Sequence, residues 1–132
     1  LYQDAQQLDV LLHGVKWTFL HYPFPVYAQP IKANGLKIPP LPTLAAMKAY
    51  AIGRRAKWKD YVDLYMIINQ GLSVAFIAQN ARTIFGDAFS EKLFRQQLAW
   101  HQEMDYSEPV DWLLPMPDEE TIKQQLIKWA MF

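Results

Sequence analysis

The sequence predicts an α+β protein, mainly α, in which a short antiparallel β-hairpin leads into a four- to five-helix region. Three observations carry this. Two short apolar-rich runs, Leu8 to Leu12 and Val15 to Tyr22, are joined by His13-Gly14, a pairing suited to a tight hairpin turn. A proline-rich stretch follows, from Pro23 to Pro42. Beyond it apolar residues recur at helical spacing in segments closed by Gly71 and Gly86, since glycine readily takes the left-handed conformation at a helix end.

In order along the chain, residues 1–22 are expected to hold the hairpin. Val15, Trp17, Phe19 and His21 form its more apolar face. A two-stranded hairpin is barely stable alone, so it is expected to join a larger sheet or to pack on helices. Residues 23–42 read as an extended connector that no helix can cross, with room for a small hairpin at Asn34-Gly35, because proline lacks the backbone donor and Asn-Gly favours a turn. Residues 43–132 are the helical region. Thr43 is the expected N-cap of a first helix through Leu44, Met47, Ala51 and Ile52, weakened or ended by Gly53. A second helix is expected from about Lys59 to Asn69, a third from Ser73 to Phe85 and a fourth from Phe89 to about Met104. Ser107 to Pro117 reads as a loop. Asp118 then caps a last helix that has Glu119 and Glu120 in its first turn and buries Ile122, Leu126, Ile127 and Trp129.

Composition narrows the function. At 132 residues the chain is a single domain or a domain fragment. Its 13 basic and 13 acidic side chains cancel, which argues against nucleic-acid binding through an overall field and leaves local patches. With no cysteine, disulfides and thiolate metal sites are ruled out, and the chain suits a reducing cytosol. His13, His21 and His101 have no ligand-like spacing, and His101 reads as a helix-surface residue. No apolar run approaches the roughly 18 to 20 residues that span a bilayer, so a cytoplasmic protein with no membrane partner is expected. The aromatics Phe19, Trp58, Tyr65, Phe85 and Trp100 point to dense packing. The chain opens at Leu1 without methionine, and a missing upstream segment is expected.

The charges hardest to explain by packing lie between Leu44 and Asp63. At about 100° per residue, Lys48 and Arg55 fall within about 40° of Leu44, inside the apolar stripe. Lysine is almost never buried unpaired, so Lys48 either snorkels or faces a negative group. On the next helix Asp60 shares the face of Leu64, Ile67 and Ile68, with Asp63 at its edge. If the two apolar faces meet, Lys48 and Asp60 approach each other at the rim of the core. Two readings follow: a salt bridge between packed helices, or a site for a triphosphate and a metal in which Lys48 and Arg55 neutralise phosphate and Asp60 orients an attacking group or helps to bind the cation. The run Gly53-Arg54-Arg55-Ala56-Lys57-Trp58-Lys59 has the composition of a nucleotide contact and equally that of a solvated loop, which is the reading preferred for Lys57. No Gly-x-Gly-x-x-Gly, Walker-type or His-Glu-x-x-His sequence occurs.

Leu44-Ala45-Ala46-Met47-Lys48-Ala49, Gly53-Arg54-Arg55 and Lys59-Asp60-Tyr61-Val62-Asp63-Leu64-Tyr65 together resemble the late motifs of AbiEii-type abortive-infection nucleotidyltransferases. Phe19 to Pro25 is similar to that family's strand and exit loop, and Trp100 to Pro109 to its later helix and loop. The resemblance implies the C-terminal part of a polymerase β-like nucleotidyltransferase fold, acting as the toxin of a bacterial toxin–antitoxin pair. It implies a nucleoside triphosphate with Mg2+ as cofactor, an antitoxin partner and, for some members, transfer RNA as acceptor. It makes Lys48 and Asp60 the catalytic residues and Arg55, Lys59 and Asp63 nucleotide-binding. The family's glycine-rich segment and metal-binding Asp-x-Asp pair are absent from this sequence, and Asp9 is the sole nearby acid for a third carboxylate. With those acids missing, the chain alone is expected to be inactive and to need an N-terminal nucleotidyltransferase core. The alternative is a degenerate or split helical module that binds nucleotide or protein without catalysis.

Overall fold

The computed structural model describes residues 2–26 and 31–132, with the side chains of residues 31–33 left aside. The part of the expected connector at residues 27–30 lies outside the described residues, as does Leu1. Strands β1 (Gln7–Leu12) and β2 (Val15–Leu20) pair antiparallel, with Leu12 opposite Val15 and Gln7 opposite Leu20. Both turn residues, His13 and Gly14, have positive φ, the requirement of a type I′ turn. Asn34 and Gly35 repeat this geometry between β3 (Ile31–Ala33) and β4 (Leu36–Ile38), a second small hairpin. The two hairpins form separate two-stranded sheets.

Five α-helices follow among the described residues: α1 (Leu41–Ile52), α2 (Trp58–Asn69), α3 (Val74–Phe85), α4 (Glu91–Ala99) and α5 (Glu119–Ala130). The α+β, mainly α class is therefore the observed one. Helix α1 starts earlier than the sequence indicates. Pro40 is its N-cap and Pro42 sits in the first turn, while Thr43 is a buried helical residue and not the cap. The prolines cost nothing there, because first-turn N–H groups have no helical partner in any case. Ser73 caps α3 through the Phe76 amide, and Gly86, at φ 54°, ends that helix. Gly71, at φ 110°, follows α2 in the same way.

Helix α4 is shorter than the periodicity of Phe89 to Met104 implies. Residues Gly86–Ala88 form a 3-10 turn, Ser90 caps α4 through Leu93, and Trp100 is already extended. Tertiary pairing decides where it stops. The Asp105 amide donates to the Ala56 carbonyl at 2.7 Å, and the Trp58 amide to the Asp105 carbonyl at 2.9 Å. Two main-chain bonds to the α1–α2 turn thus replace a further turn of helix. His101 accordingly lies beyond the helix, half-buried, with Nε2 2.9 Å from the Leu98 carbonyl and its ring edge-on to Tyr61.

The core lies among the helices. Ala45, Ala46 and Ala49 of α1 are essentially unexposed, as are Ala78 and Ala81 of α3, so these two helices pack through small residues that permit close approach. Leu64, Ile77, Phe94, Leu98, Ile122 and Leu126 fill the main cluster. On α5, Ile122 and Leu126 are buried as expected, joined by Ala130, whereas Ile127 and Trp129 are only partly covered. A second cluster gathers Phe85, Ala46 and Ala81 with Tyr22, Phe24 and Tyr50. Trp58, Tyr65 and Phe85 are buried, but Phe19 and Trp100 are exposed. Every residue of β2 is exposed, Trp17 and Phe19 included, so within the described residues the expected apolar face of the hairpin meets nothing. No single helix among the described residues is long and apolar enough to cross a membrane.

Candidate functional site

Lys48 sits midway along α1, and Asp60 lies in the first turn of α2. The intervening turn folds the helices so that their faces meet. Lys48 Nζ donates to Asp60 Oδ1 at 2.9 Å, and Arg55 Nε donates to Asp60 Oδ2 at 3.1 Å. Asp63, one turn further on, takes Lys48 Nζ through Oδ2 at 2.7 Å. The approach anticipated from helical phase is thus present, and it is graded by depth. Asp60 is 0% exposed, Lys48 23%, Asp63 46% and Arg55 49%.

That gradient has a physical reason. A carboxylate with no access to water requires partners for both oxygens, and it has two cations. The cations reach it from the solvent side on long apolar stems. Burial alone would depress the Lys48 ammonium, but its bonds to Asp63 and Asp60 outweigh burial and hold it above the ordinary lysine value. Lys48 spends two of its three N–H donors on these carboxylates. Arg55 spends only Nε among the described residues, leaving its two terminal nitrogens unused.

Lys48, Arg55 and Asp60 are among the residues that line a cleft of about 340 Å³. Its walls are Leu44, Met47 and Ala51 of α1 and, from the exit of the first hairpin, Leu20 and Tyr22. Burial, and secondarily the neighbouring Tyr50, push the Tyr22 hydroxyl up to about 12, so at neutral pH it is protonated and able to donate. Tyr61, next to Asp60 in sequence, is unexposed, and its hydroxyl has no hydrogen-bond partner among the described residues. Burial and then Asp60 raise that group to about 12 as well.

Lys59 does not join this cluster. One residue of helix is about 100° of rotation, and Lys59 turns instead to Glu108, which it shares with Lys57. Glu108 gave no local sequence signal, standing far along the chain in the Pro109 loop. Its bonds to Lys57 and then Lys59 hold its carboxyl at about 2, below the ordinary 4.5. A depressed folded-state value means stabilisation that is complete above the unfolded value and fades as pH falls toward the folded one. Glu108→Gln is therefore expected to lower the melting temperature at pH 7 and to match the parent near pH 2, with the difference closing below about 4.5. A difference that persists unchanged to pH 2 would assign the effect to packing.

Asp9 is buried on β1 opposite Thr18, and Lys16 Nζ lies 3.1 Å from its carboxylate. It is not among the residues lining the cleft. The donor set around Asp60 does not fit a divalent cation. Both of its oxygens are engaged by cations, Asp63 is tied to Lys48, and among the described residues no three His, Asp or Glu side chains converge. Two residues at the cleft escaped the sequence reading, Tyr22 and Tyr50. The run of aromatics from Phe19 to Phe24 is an available signal for Tyr22, and Tyr50 has no comparable one.

Over 72 residues the chain is 38% identical to an uncharacterized protein of Aquifex aeolicus, an alignment covering 53% of this chain and 35% of the relative. The chain therefore spans about a third of the length of the curated relative that it matches. No solved structure matches. The family of the nucleotidyl transferase AbiEii toxin, type IV toxin–antitoxin system, matches residues 3–131. That span takes in the hairpin, all five helices and the Lys48–Asp60 cluster, and the chain belongs to the AbiEii nucleotidyltransferase toxin family.

Proposed function

We propose that this chain supplies the phosphate-facing wall of a nucleotidyltransferase toxin, which moves a nucleoside monophosphate from a nucleoside triphosphate to an acceptor such as transfer RNA. The observation that carries the proposal is the buried Asp60 holding Lys48 and Arg55 in the lining of a largely apolar cleft. In such a transfer an acceptor oxygen attacks the α-phosphorus, the bond to the bridging oxygen breaks, and pyrophosphate leaves. Negative charge is spread over the phosphoryl oxygens throughout, so fixed cations are what the protein can contribute.

The unused donors of Lys48 and Arg55 suit that task. Asp60 acts from behind, fixing both cations so that little reorganisation is needed when phosphate arrives, and Asp63 steadies Lys48. Lys59 supports the site indirectly, by anchoring the Glu108 loop against the α1–α2 turn. Because the carboxylates here do not fit a metal, Mg2+ and its paired acids belong to a nucleotidyltransferase core outside this chain. The exposed apolar side chains of the first hairpin, Val15, Trp17 and Phe19 among them, favour such a partner, since strands of this kind are normally covered. An antitoxin and a cytoplasmic site of action complete the reading.

Two measurements test it. Incubated with labelled nucleoside triphosphates, magnesium and total transfer RNA, the chain alone should leave the RNA unlabelled; robust labelling would overturn the division of labour. Titrated calorimetrically with a nucleoside triphosphate, Lys48→Ala should bind at least about tenfold more weakly, the loss of one charged hydrogen bond. Unchanged affinity would return the cluster to a purely structural role.

A further inference from the structure

The cluster that identifies the site has a charge balance of its own. Lys48 and Arg55 face Asp60 and Asp63, two cations against two carboxylates, so together they offer a ligand oriented donors but no net charge. We infer that Arg54 supplies the net positive charge through which the cleft takes a nucleoside polyphosphate, and that it contacts the phosphates directly. This rests on the phosphate reading given above.

Three observations place Arg54 in that role. It lines the same cleft as Lys48, Arg55 and Asp60. Among the described residues no carboxylate lies within ion-pairing distance of it, in contrast to Lys48, Arg55, Lys57 and Lys59. Its guanidinium is held 4.9 Å above the Tyr50 ring, which is itself stacked on Phe85 with centroids 4.3 Å apart and an interplanar angle of 11°. The backbone is fixed as well, the Arg54 amide donating to the Ala51 carbonyl at 3.0 Å.

A guanidinium docked over an aromatic face through its π-cloud leaves its N–H donors available for oxygen acceptors. Docking also removes part of the conformational freedom that a long exposed side chain would lose on meeting phosphate. The ligand's other half is accounted for by the cleft walls. Met47, Leu20 and Tyr22 offer an apolar and aromatic surface suited to a base or ribose. An anionic tail on a flat, weakly polar body is the chemistry that this mixed lining suits.

The test uses the whole chain and two probes, inorganic tripolyphosphate and a purine nucleoside triphosphate, titrated at several salt concentrations. Arg54→Ala should weaken both by roughly 10- to 100-fold and flatten the salt dependence, while Arg54→Lys recovers part of the loss because it keeps the charge without the fork. The melting temperature should fall by no more than a few degrees, the worth of an exposed cation–π contact, since Arg54 is exposed. Parent-like binding of tripolyphosphate by Arg54→Ala, alongside a loss in Lys48→Ala, would overturn the inference and leave the phosphate reading standing. Failure of the parent chain to bind either probe would overturn both.

Discussion

Replacing Lys48 and Arg55 together by alanine should destabilise the fold by about 3 to 5 kcal/mol, a large share of the roughly 5 to 15 kcal/mol that holds a domain together. The reason is the asymmetry of burial. Asp60 is unexposed while both cations cover it, so stripping them leaves a carboxylate without a partner on the floor of the cleft. Removing the carboxylate instead leaves two cations that can turn outward, since Arg55 is half exposed and Lys48 retains Asp63. The Lys48→Ala, Arg55→Ala protein with Asp60→Asn added should therefore be more stable than the double variant, and urea denaturation of the set reads this directly. If the added Asp60→Asn lowers stability further, buried charge is not the cause. A single substitution of Lys48 leaves Arg55 on the carboxylate and should cost less than the double. The two sequence readings of these residues, ion pair and ligand site, are then compatible: the carboxylate end is structural, and the cation end faces the cleft.

Phe94→Ala should cost about 3 to 5 kcal/mol by leaving a cavity that its neighbours cannot fill. Phe94 is 1% exposed and lies 5.9 Å, centroid to centroid, from Phe89. Helix α4 is only nine residues long, too short to hold itself in water, so its place depends on Phe94 and Leu98. Leu113→Ala, at a position 96% exposed, is the matched control and should stay within about 0.5 kcal/mol of the parent. Equal unfolding midpoints for the two variants would contradict the packing described here.

The elements best legible in the sequence are those fixed by local chemistry. His13-Gly14 and Asn34-Gly35 mark their turns because few other pairs accept two positive φ values. Ser73, Asp118, Gly71 and Gly86 mark helix ends for equally local reasons. Lys48, Arg55 and Asp60 could be brought together on paper because helical phase is a fixed rotation. What was not legible depends on partners distant in sequence. The end of α4 is set by the Asp105 bridge to Ala56 and Trp58, and the direction of Lys59 by Glu108. Thr43 looked like a cap because capping residues are recognised by type, while the first turn of α1 is built from prolines. Alternation marked β2 as a strand, yet it could not reveal that nothing within the described residues covers it.

The loop that carries Asp105 and Glu108 also behaves as a mechanical link. It is bonded through main chain to Ala56 and Trp58 and through Glu108 to Lys57 and Lys59. On its other side Tyr106 bonds Glu119, and Lys123 lies 5.6 Å from the ring centroids of both Trp58 and Tyr106. Helix α5 and the turn that carries Arg54 and Arg55 are thus joined through one short segment. The segment acts as a tether, limiting how far the start of α5 and the turn that carries Arg54 and Arg55 can separate while these bonds hold.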